Sequence, residues 1–341
     1  MTAGFFWHPF TPMQAYASEA APVIVAGEGF YLIDESGQRY LDGVSSLWCN
    51  VHGHRSGDRS RDLRATGPHR PLDTARAGSD PSIELARQLV ERTPAGLDHV
   101  FYSGSGSTGV EAALKIAWQF QRQSGTGGAG RDLFVGLSGA YHGDTIGSVS
   151  LGQIDLFHSV YGPLLFDTMT LPAPVAFRHP EGFTDQDGWI GARRKWNGGA
   201  GNHERIAAVV IEPLVQGAPG FWSIPKGTCG GSGVDPGVGL LLIPDEVAVA
   251  FGRTGTLFAC EHEEVTRICV PGQGVDRGYC HWRRRWPPGP FSKRFWVNRT
   301  RDESSSMAHL HGERLGCAAA LASLDLFETN PLENVGEGAN G

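Results

Sequence analysis

Between residues 99 and 247 the chain repeats one local plan: a short apolar run, a polar or glycine-rich break, and in places a helix before the next run. "RIAAVVIEPL" (205–214) and "GLLLIPDEV" (239–247) are apolar runs that end in acids, the pattern of strands buried on both faces of a parallel sheet. "DHVFY" leads into "SGSGSTG" and then a helix in which Val110, Ala113, Leu114 and Ala117 share one apolar face at i, i+3, i+4 and i+7 spacing. "DLFVGL" is a fourth strand, followed by "SGAYHGD". This alternation predicts an α/β fold built on a largely parallel sheet. Ligands of such sheets bind at the carboxyl ends of the strands. "SGSGSTG", "YHGD", "EPLVQG" and "DEVAVAFGRTG" all fall at such ends.

At 341 residues the chain can bury a sizeable core and form about two domains. A formal charge of −7 argues against nucleic acid or an anionic membrane surface as a partner. No apolar run reaches membrane-spanning length, and "MTAGFFWHPFTPMQ" lacks the basic and apolar regions of a signal peptide, so a cytoplasmic location is expected. The six cysteines form no Cys-x-x-Cys pair, which favours buried thiols over a metal site or a disulfide framework.

Ser105, Gly106, Ser107 and Thr108 open a helix, where free amides and the helix dipole favour an anion and glycine admits a phosphate to the main chain. The spacing is neither a nucleotide P-loop nor a dinucleotide fingerprint, and a plain turn with a helix cap reads equally well. Asp245 closes a buried strand and needs a cationic or hydrogen-bonding partner there, either a ligand or a structural group. Tyr141 and His142 supply aromatic surface at a third strand end, for a flat ligand ring or for ordinary packing. A phosphate anchor, a stacking surface and a buried acid together describe the needs of pyridoxal 5′-phosphate.

The stretches "WHPFTPM", "YLDGVSSLWCNVHGH", "SGSGSTGVEAALKIA", "GAYHGDTIG", "AAVVIEPLVQGAPG" and "DEVAVAFGRTGTLFACEHEEVT" resemble, in order, the class III pyridoxal-phosphate aminotransferases. The likeness covers most of 5–55, 80–226, 240–266 and 315–328, and "WHPF" and "LFACEHEE" tilt it toward members that act in biotin synthesis. It implies an aspartate-aminotransferase-like fold, with 1–55 as the N-terminal part of a small domain, 56–310 as the large cofactor domain and 311–341 as the start of a shortened C-terminal small domain. It also implies a homodimer, and transfer of an amino group from S-adenosylmethionine to 8-amino-7-oxononanoate. Under this resemblance Gly106 and Ser107 bind the cofactor phosphate, Tyr141 and His142 lie at the ring, Asp245 pairs with the pyridine nitrogen, and Glu212 and Gln216 support the site. Tyr141 and Asp245 are the catalytic candidates, and Phe10, Leu47, Trp48, Asp144 and Arg253 the substrate-binding ones. Phe10 stands where the family usually has tyrosine and Leu47 where it has tryptophan, departures that bear on the amino donor. Two other readings stay open: another class III transaminase acting on an ω-amino acid, and a protein that binds the cofactor without turnover.

The family uses a lysine to hold the cofactor as a Schiff base and to shuttle the proton. The four lysines, Lys115, Lys195, Lys226 and Lys293, all lie outside the family's lysine motif. Gln273, 28 residues after Asp245, stands about where that lysine belongs, in "CVPGQGVDRGYCHWRRRW". Codons can be chosen for Gln-Gly-Val-Asp-Arg-Gly that read, one base over, Lys-Gly-Leu-Thr-Gly. The same device recovers family-like segments after Tyr279 and across 66–78, so 56–79, 227–239 and 267–313 are expected to be out of frame. Such a shift also accounts for the seven basic side chains and absent acids of 281–301 without a single-stranded nucleic-acid site. Without its lysine the chain is expected to be inactive or nearly so, since a lost proton-transfer group costs roughly 10²–10⁴-fold in rate.

Overall fold

The computed structural model describes residues 11–16, 21–48, 50–54, 80–94, 97–123, 130–152, 154–175, 204–225, 228, 240–263, 268–271, 279–283 and 314–329. They fall into two compact units, Met1–Gly57 and Asp58–Gly341.

In the first unit β1 (Ile24–Glu28), β2 (Tyr31–Asp34) and β3 (Arg39–Leu41) form an antiparallel meander. Asp34 organises the turn between β2 and β3: its Oδ1 accepts from the Ser36 amide at 2.9 Å, the Ser36 hydroxyl at 2.7 Å and the Gln38 amide at 2.9 Å. The Ser36 hydroxyl bond is the main reason the Asp34 carboxyl titrates below its ordinary range, and the Tyr40 hydroxyl adds to it. Further on, Ser45, Ser46, Leu47 and Trp48 all have positive φ, from 51° to 70°. A left-handed turn of L-residues costs roughly 1–2 kcal/mol per residue. Asp42 offsets part of that cost by accepting from the Ser46 amide and hydroxyl and pairing with His54 Nε2 at 2.9 Å.

The second unit is built on a seven-stranded sheet. Its strands are β4 (Leu97–Tyr102), β5 (Leu133–Leu137), β6 (Thr168–Leu171), β7 (Ile206–Ile211), β10 (Leu241–Glu246), β11 (Ile268–Pro271) and β12 (Tyr279–Arg283). A two-stranded ribbon of β8 (Val215–Gln216) and β9 (Trp222–Ser223) completes the numbering. The sheet order is β4-β12-β11-β10-β7-β5-β6. Every pair from β11 across to β6 is parallel, and β12 runs antiparallel to both β11 and β4. The α/β fold with a largely parallel sheet is therefore present, with one strand reversed. The opening part of the 269–286 stretch, whose composition gives no strand periodicity, supplies β12 and most of β11.

Every residue of β7 and of β10 is buried, as expected for strands covered on both faces. On one face α2 (Gly106–Gln123) lays Val110, Ala113, Leu114 and Ala117 against Ala208, Val210, Leu241 and Ile243. Alternate residues of the same strands, Val209, Ile211 and Leu242, join Val135, Leu137 and Ala173 in the second core. Gly136 on β5 lets α3 (Ile146–Leu151) approach closely, because a Cβ there would stand 2.7 Å from the Leu151 carbonyl oxygen. Two further helices, α1 (Asp80–Arg92) and α5 (Arg314–Thr329), pack on each other, with Leu85, Leu89 and Leu324 fully buried. The short α4 (Asp155–His158) follows α3.

Ile243, fully buried between α2 and its sheet neighbours, is the residue whose truncation should be felt most directly. I243A should lose about 2–5 kcal/mol in denaturant unfolding. I83A, at a position 60 % exposed on α1, should change stability by no more than about 0.5 kcal/mol.

Candidate active site

The polar ends of β5, β7 and β10 meet the N-terminus of α2. Ser105 caps that helix, its hydroxyl accepting from the Thr108 amide at 3.2 Å and its carbonyl from the Gly109 amide at 3.0 Å, which leaves the Gly106 and Ser107 amides without an acceptor among the described residues. Glycine is required there for space, since a Cβ on Gly106 would lie 2.6 Å from Val247 Cγ2, just past the end of β10. Gly143, at φ +112°, likewise leaves room for the Ser107 side chain. The Ser107 hydroxyl accepts from the Thr145 amide at 3.0 Å and lies 2.9 Å from Thr145 Oγ1 and 3.2 Å from Ser148 Oγ. Glu111, one helical turn on, accepts from the Gly147 amide at 2.6 Å. These bonds fasten the 141–148 loop to the start of α2.

Asp245 is 3 % exposed at the end of β10 and has two protein partners. Its Oδ2 lies 2.7 Å from His142 Nδ1 and its Oδ1 accepts from the Val247 amide at 3.1 Å. Burial works against a charged His142, but the bond and charge of Asp245, with the charge of Glu212, outweigh it and raise the imidazole's pKa. Consecutive strand residues point to opposite faces, and Glu246 takes the other one. Its two oxygens accept from the amides of Ala259 and Cys260 at 2.6 and 2.8 Å.

Glu212, just past β7, bridges two loops: Oε1 accepts from the Gly217 amide at 3.0 Å and Oε2 from the Tyr141 amide at 3.4 Å. Burial, with a smaller push from Asp245, raises its pKa to about 7 against the opposing pull of His142 and the two amides. Gln216 is fully buried and donates to the Ser138 carbonyl at 3.3 Å. The Tyr141 hydroxyl donates to Asp144 at 2.8 Å, and burial followed by that bond raises the phenol's pKa. Its ring stacks on His158.

Eight of the residues singled out in the sequence thus converge: Gly106, Ser107, Tyr141, His142, Asp144, Glu212, Gln216 and Asp245. His142 serves differently from the stacking surface expected of it, because its ring edge is committed to Asp245. Arg253 lies in the turn 252–256 beyond β10. Leu47 and Trp48 belong to the other unit, in its left-handed turn, and Phe10 and Gln273 lie outside the described residues. Sequence reasoning missed Glu111, Thr145, Ser148, His158 and Glu246. Only Glu246 left a signal, as the second of two adjacent acids closing an apolar strand.

A cofactor of the kind inferred from the sequence fits these groups. His142 Nε2 and Gln216 Oε1 are buried with no hydrogen-bond partner among the described residues, leaving unsatisfied polar atoms for a ligand to meet. The Gly106–Val247 approach and the Asp245 carboxylate supply the close main-chain surface and the acid. No group of three potential metal ligands occurs among the described residues.

Residues 14–337 match the family model Aminotransferase class-III, and the chain belongs to that family of pyridoxal-phosphate-dependent enzymes. It is 44 % identical over 344 residues to the adenosylmethionine-8-amino-7-oxononanoate aminotransferase of Nitratidesulfovibrio vulgaris, an alignment covering 96 % of this chain and 61 % of that protein. Among solved structures it resembles the enzyme of the same name from Methanocaldococcus jannaschii, with a TM-score of 0.78 and 32 % identity over 97 % of this chain and 74 % of that one. An (S)-enantioselective ω-transaminase from Thermomicrobium roseum is similar at a TM-score of 0.79 and 30 % identity, over 94 % of this chain and 72 % of that one. The neighbours carry the aspartate-aminotransferase-like fold.

The raised pKa of Glu212 makes stability fall as pH rises. The folded state retains a proton on this carboxyl that the unfolded chain has released, so stability is highest below the ordinary carboxyl range and declines up to about pH 7. His142, also raised, acts in the same sense. Unfolding free energy measured from pH 5 to pH 8 should fall by on the order of 3 kcal/mol from Glu212. In E212Q that part of the slope should vanish.

Proposed function

We propose that this chain binds pyridoxal 5′-phosphate between the start of α2, Tyr141 and Asp245, and that its reaction is amino transfer from S-adenosylmethionine to 8-amino-7-oxononanoate, giving 7,8-diaminononanoate for biotin synthesis. The observation that carries this reading is the convergence of helix amides, Tyr141 and the Asp245–His142 pair at adjoining strand ends. The names of relatives at 34–44 % identity support the choice of substrates.

On this reading the free amides of Gly106 and Ser107 hold the phosphate, where the helix dipole favours negative charge. Ser107, Thr145 and Ser148 keep that loop in place through their shared hydroxyl contacts. When bound, the cofactor supplies an electron sink for negative charge developing on the substrate carbon. Asp245 would hold a proton at the ring nitrogen, and His142, bonded to its Oδ2, keeps the carboxylate oriented. Tyr141 orients the ring, while Asp144 meets the substrate beside it. Glu212, bridging the amides of Tyr141 and Gly217, holds two of these loops in register. Leu47, Trp48, Phe10 and Arg253 complete the proposed substrate contacts, and a homodimer is the proposed assembly. The domain limits proposed are 1–55, 56–310 and 311–341.

No described side chain takes the place of the anchoring lysine, because Lys115 is exposed on α2 and the other three lysines lie outside the described residues. We therefore propose that the chain as printed holds the cofactor without efficient turnover, and that the 267–313 frame is shifted. Resequencing the codons for 226–315 tests this. A restored lysine near Gln273 supports the full activity, whereas bases that stand as printed leave binding alone.

Pyridoxamine 5′-phosphate, which needs no Schiff base, tests the site itself. The protein should bind it, and D245N should weaken binding by about 30-fold or more, as expected for loss of a buried charge partner. Unchanged affinity in D245N would sink the site assignment. In a lysine-restored protein, conversion of 8-amino-7-oxononanoate separates the proposed reaction from that of the ω-transaminase the fold also resembles.

A further inference from the structure

The least expected neighbour of the site is His158, the last residue of α4. It is buried, and its imidazole lies parallel to the Tyr141 ring in an offset stack, ring centroids 6.1 Å apart and planes 10° from parallel. Its Nδ1 is 3.4 Å from the Ile154 amide, which lies one turn back and orients the ring. Burial lowers its pKa, which favours the uncharged ring.

Gly152 shows how closely the imidazole is held. A Cβ placed there would overlap the His158 ring. Yet the backbone at Gly152, φ −68° and ψ 142°, is one that any residue adopts, so space and not conformation calls for glycine. Its amide also closes α3 by donating to the carbonyls of Ser148 and Val149, and Ser148 touches Ser107. The end of α3 and the start of α4 thus frame His158 against Tyr141.

We propose that His158 is a positioning residue: it fixes the plane of the Tyr141 ring, with Gly152 as the gap that lets it do so. The Tyr141 hydroxyl is tied to Asp144 and its amide to Glu212, restraints at either end of the residue that leave rotation of the ring about its long axis open. A parallel plate restrains that rotation. Parallel aromatic pairs gain from offset stacking beyond the area they bury. The functional consequence rests on the proposed reading of Tyr141 as the residue facing the cofactor ring.

The test uses protein labelled with 3-fluorotyrosine, the Tyr141 resonance being assigned by its loss in Y141F, together with binding of pyridoxamine 5′-phosphate. H158A should move the Tyr141 fluorine resonance and weaken pyridoxamine phosphate by about 2–10-fold. H158F, which restores an aromatic face, should recover most of the affinity. G152A, which touches neither Tyr141 nor the proposed cofactor contacts, should move the same resonance by displacing the imidazole. If the resonance stays put in both H158A and G152A, the positioning role is wrong. It is equally wrong if H158A binds as tightly as the parent while Y141A does not. If Y141A and D245N both bind like the parent, the site reading falls and takes the functional role of His158 with it.

Discussion

The buried carboxylate of Asp245 is the constraint around which the second unit is arranged. A charged oxygen at the end of a strand covered on both faces costs several kcal/mol unless its hydrogen bonds are supplied locally. Here they come from two directions: His142 arrives from the loop after β5, and the Val247 amide curls back from the strand's own continuation. The first of these contacts joins positions 103 residues apart in sequence, so the 141–148 loop cannot leave without exposing the acid to an apolar interior. Glu246 repeats the logic on the opposite face of the same strand by capturing the 259–260 amides. Two adjacent acids thereby fasten two different loops to one strand end.

That fastening demands close approach, and the glycines permit it. Gly106 and Gly143 stand where two loops and a helix start come within side-chain distance, and any Cβ would push Val247 or Ser107 away. The surface left behind is main chain, rich in amide donors, in a place where the helix dipole favours an anion. The same packing that satisfies the Asp245 oxygens therefore creates a spot for negative charge a short way from the buried acid. A ligand carrying a phosphate at one end and a protonated ring nitrogen at the other is complementary to both.

Those parts of the architecture with strong local pattern were legible in the sequence. Strands β5, β7 and β10 and the apolar face of α2 follow from their runs and spacing, because burial on both faces leaves little room for polar residues. β11, β12 and the first unit's meander were not legible. "ICVP" and "YCHWR" carry no alternation and are defined by the ladders they join. Asp245, Tyr141 and His142 could be picked out as polar residues at strand ends, and Glu212 and Gln216 through the family resemblance. What each one bonds to could not, since the partner of an Asp245 or a Tyr141 is chosen by tertiary packing. His158 shows this best, as an ordinary histidine in a short helix until the fold lays it on Tyr141.

On the proposed reading, the site also separates holding a ligand from reacting with it. Among the described residues His142 bonds Asp245, Glu212 accepts from the Tyr141 and Gly217 amides, and the Ser107 hydroxyl accepts from the Thr145 amide, and none of those bonds involves a lysine. On that reading, phosphate binding draws on main-chain donors, and ring binding on an acid whose orientation is set by histidine. Removing a covalent anchor leaves these interactions in place while deleting the group that moves the proton. Binding and turnover are thus carried by different parts of the sequence. On the proposed reading the binding part lies in 105–247, where pattern, packing and polar satisfaction agree, and the lysine is expected around Gln273, which lies outside the described residues.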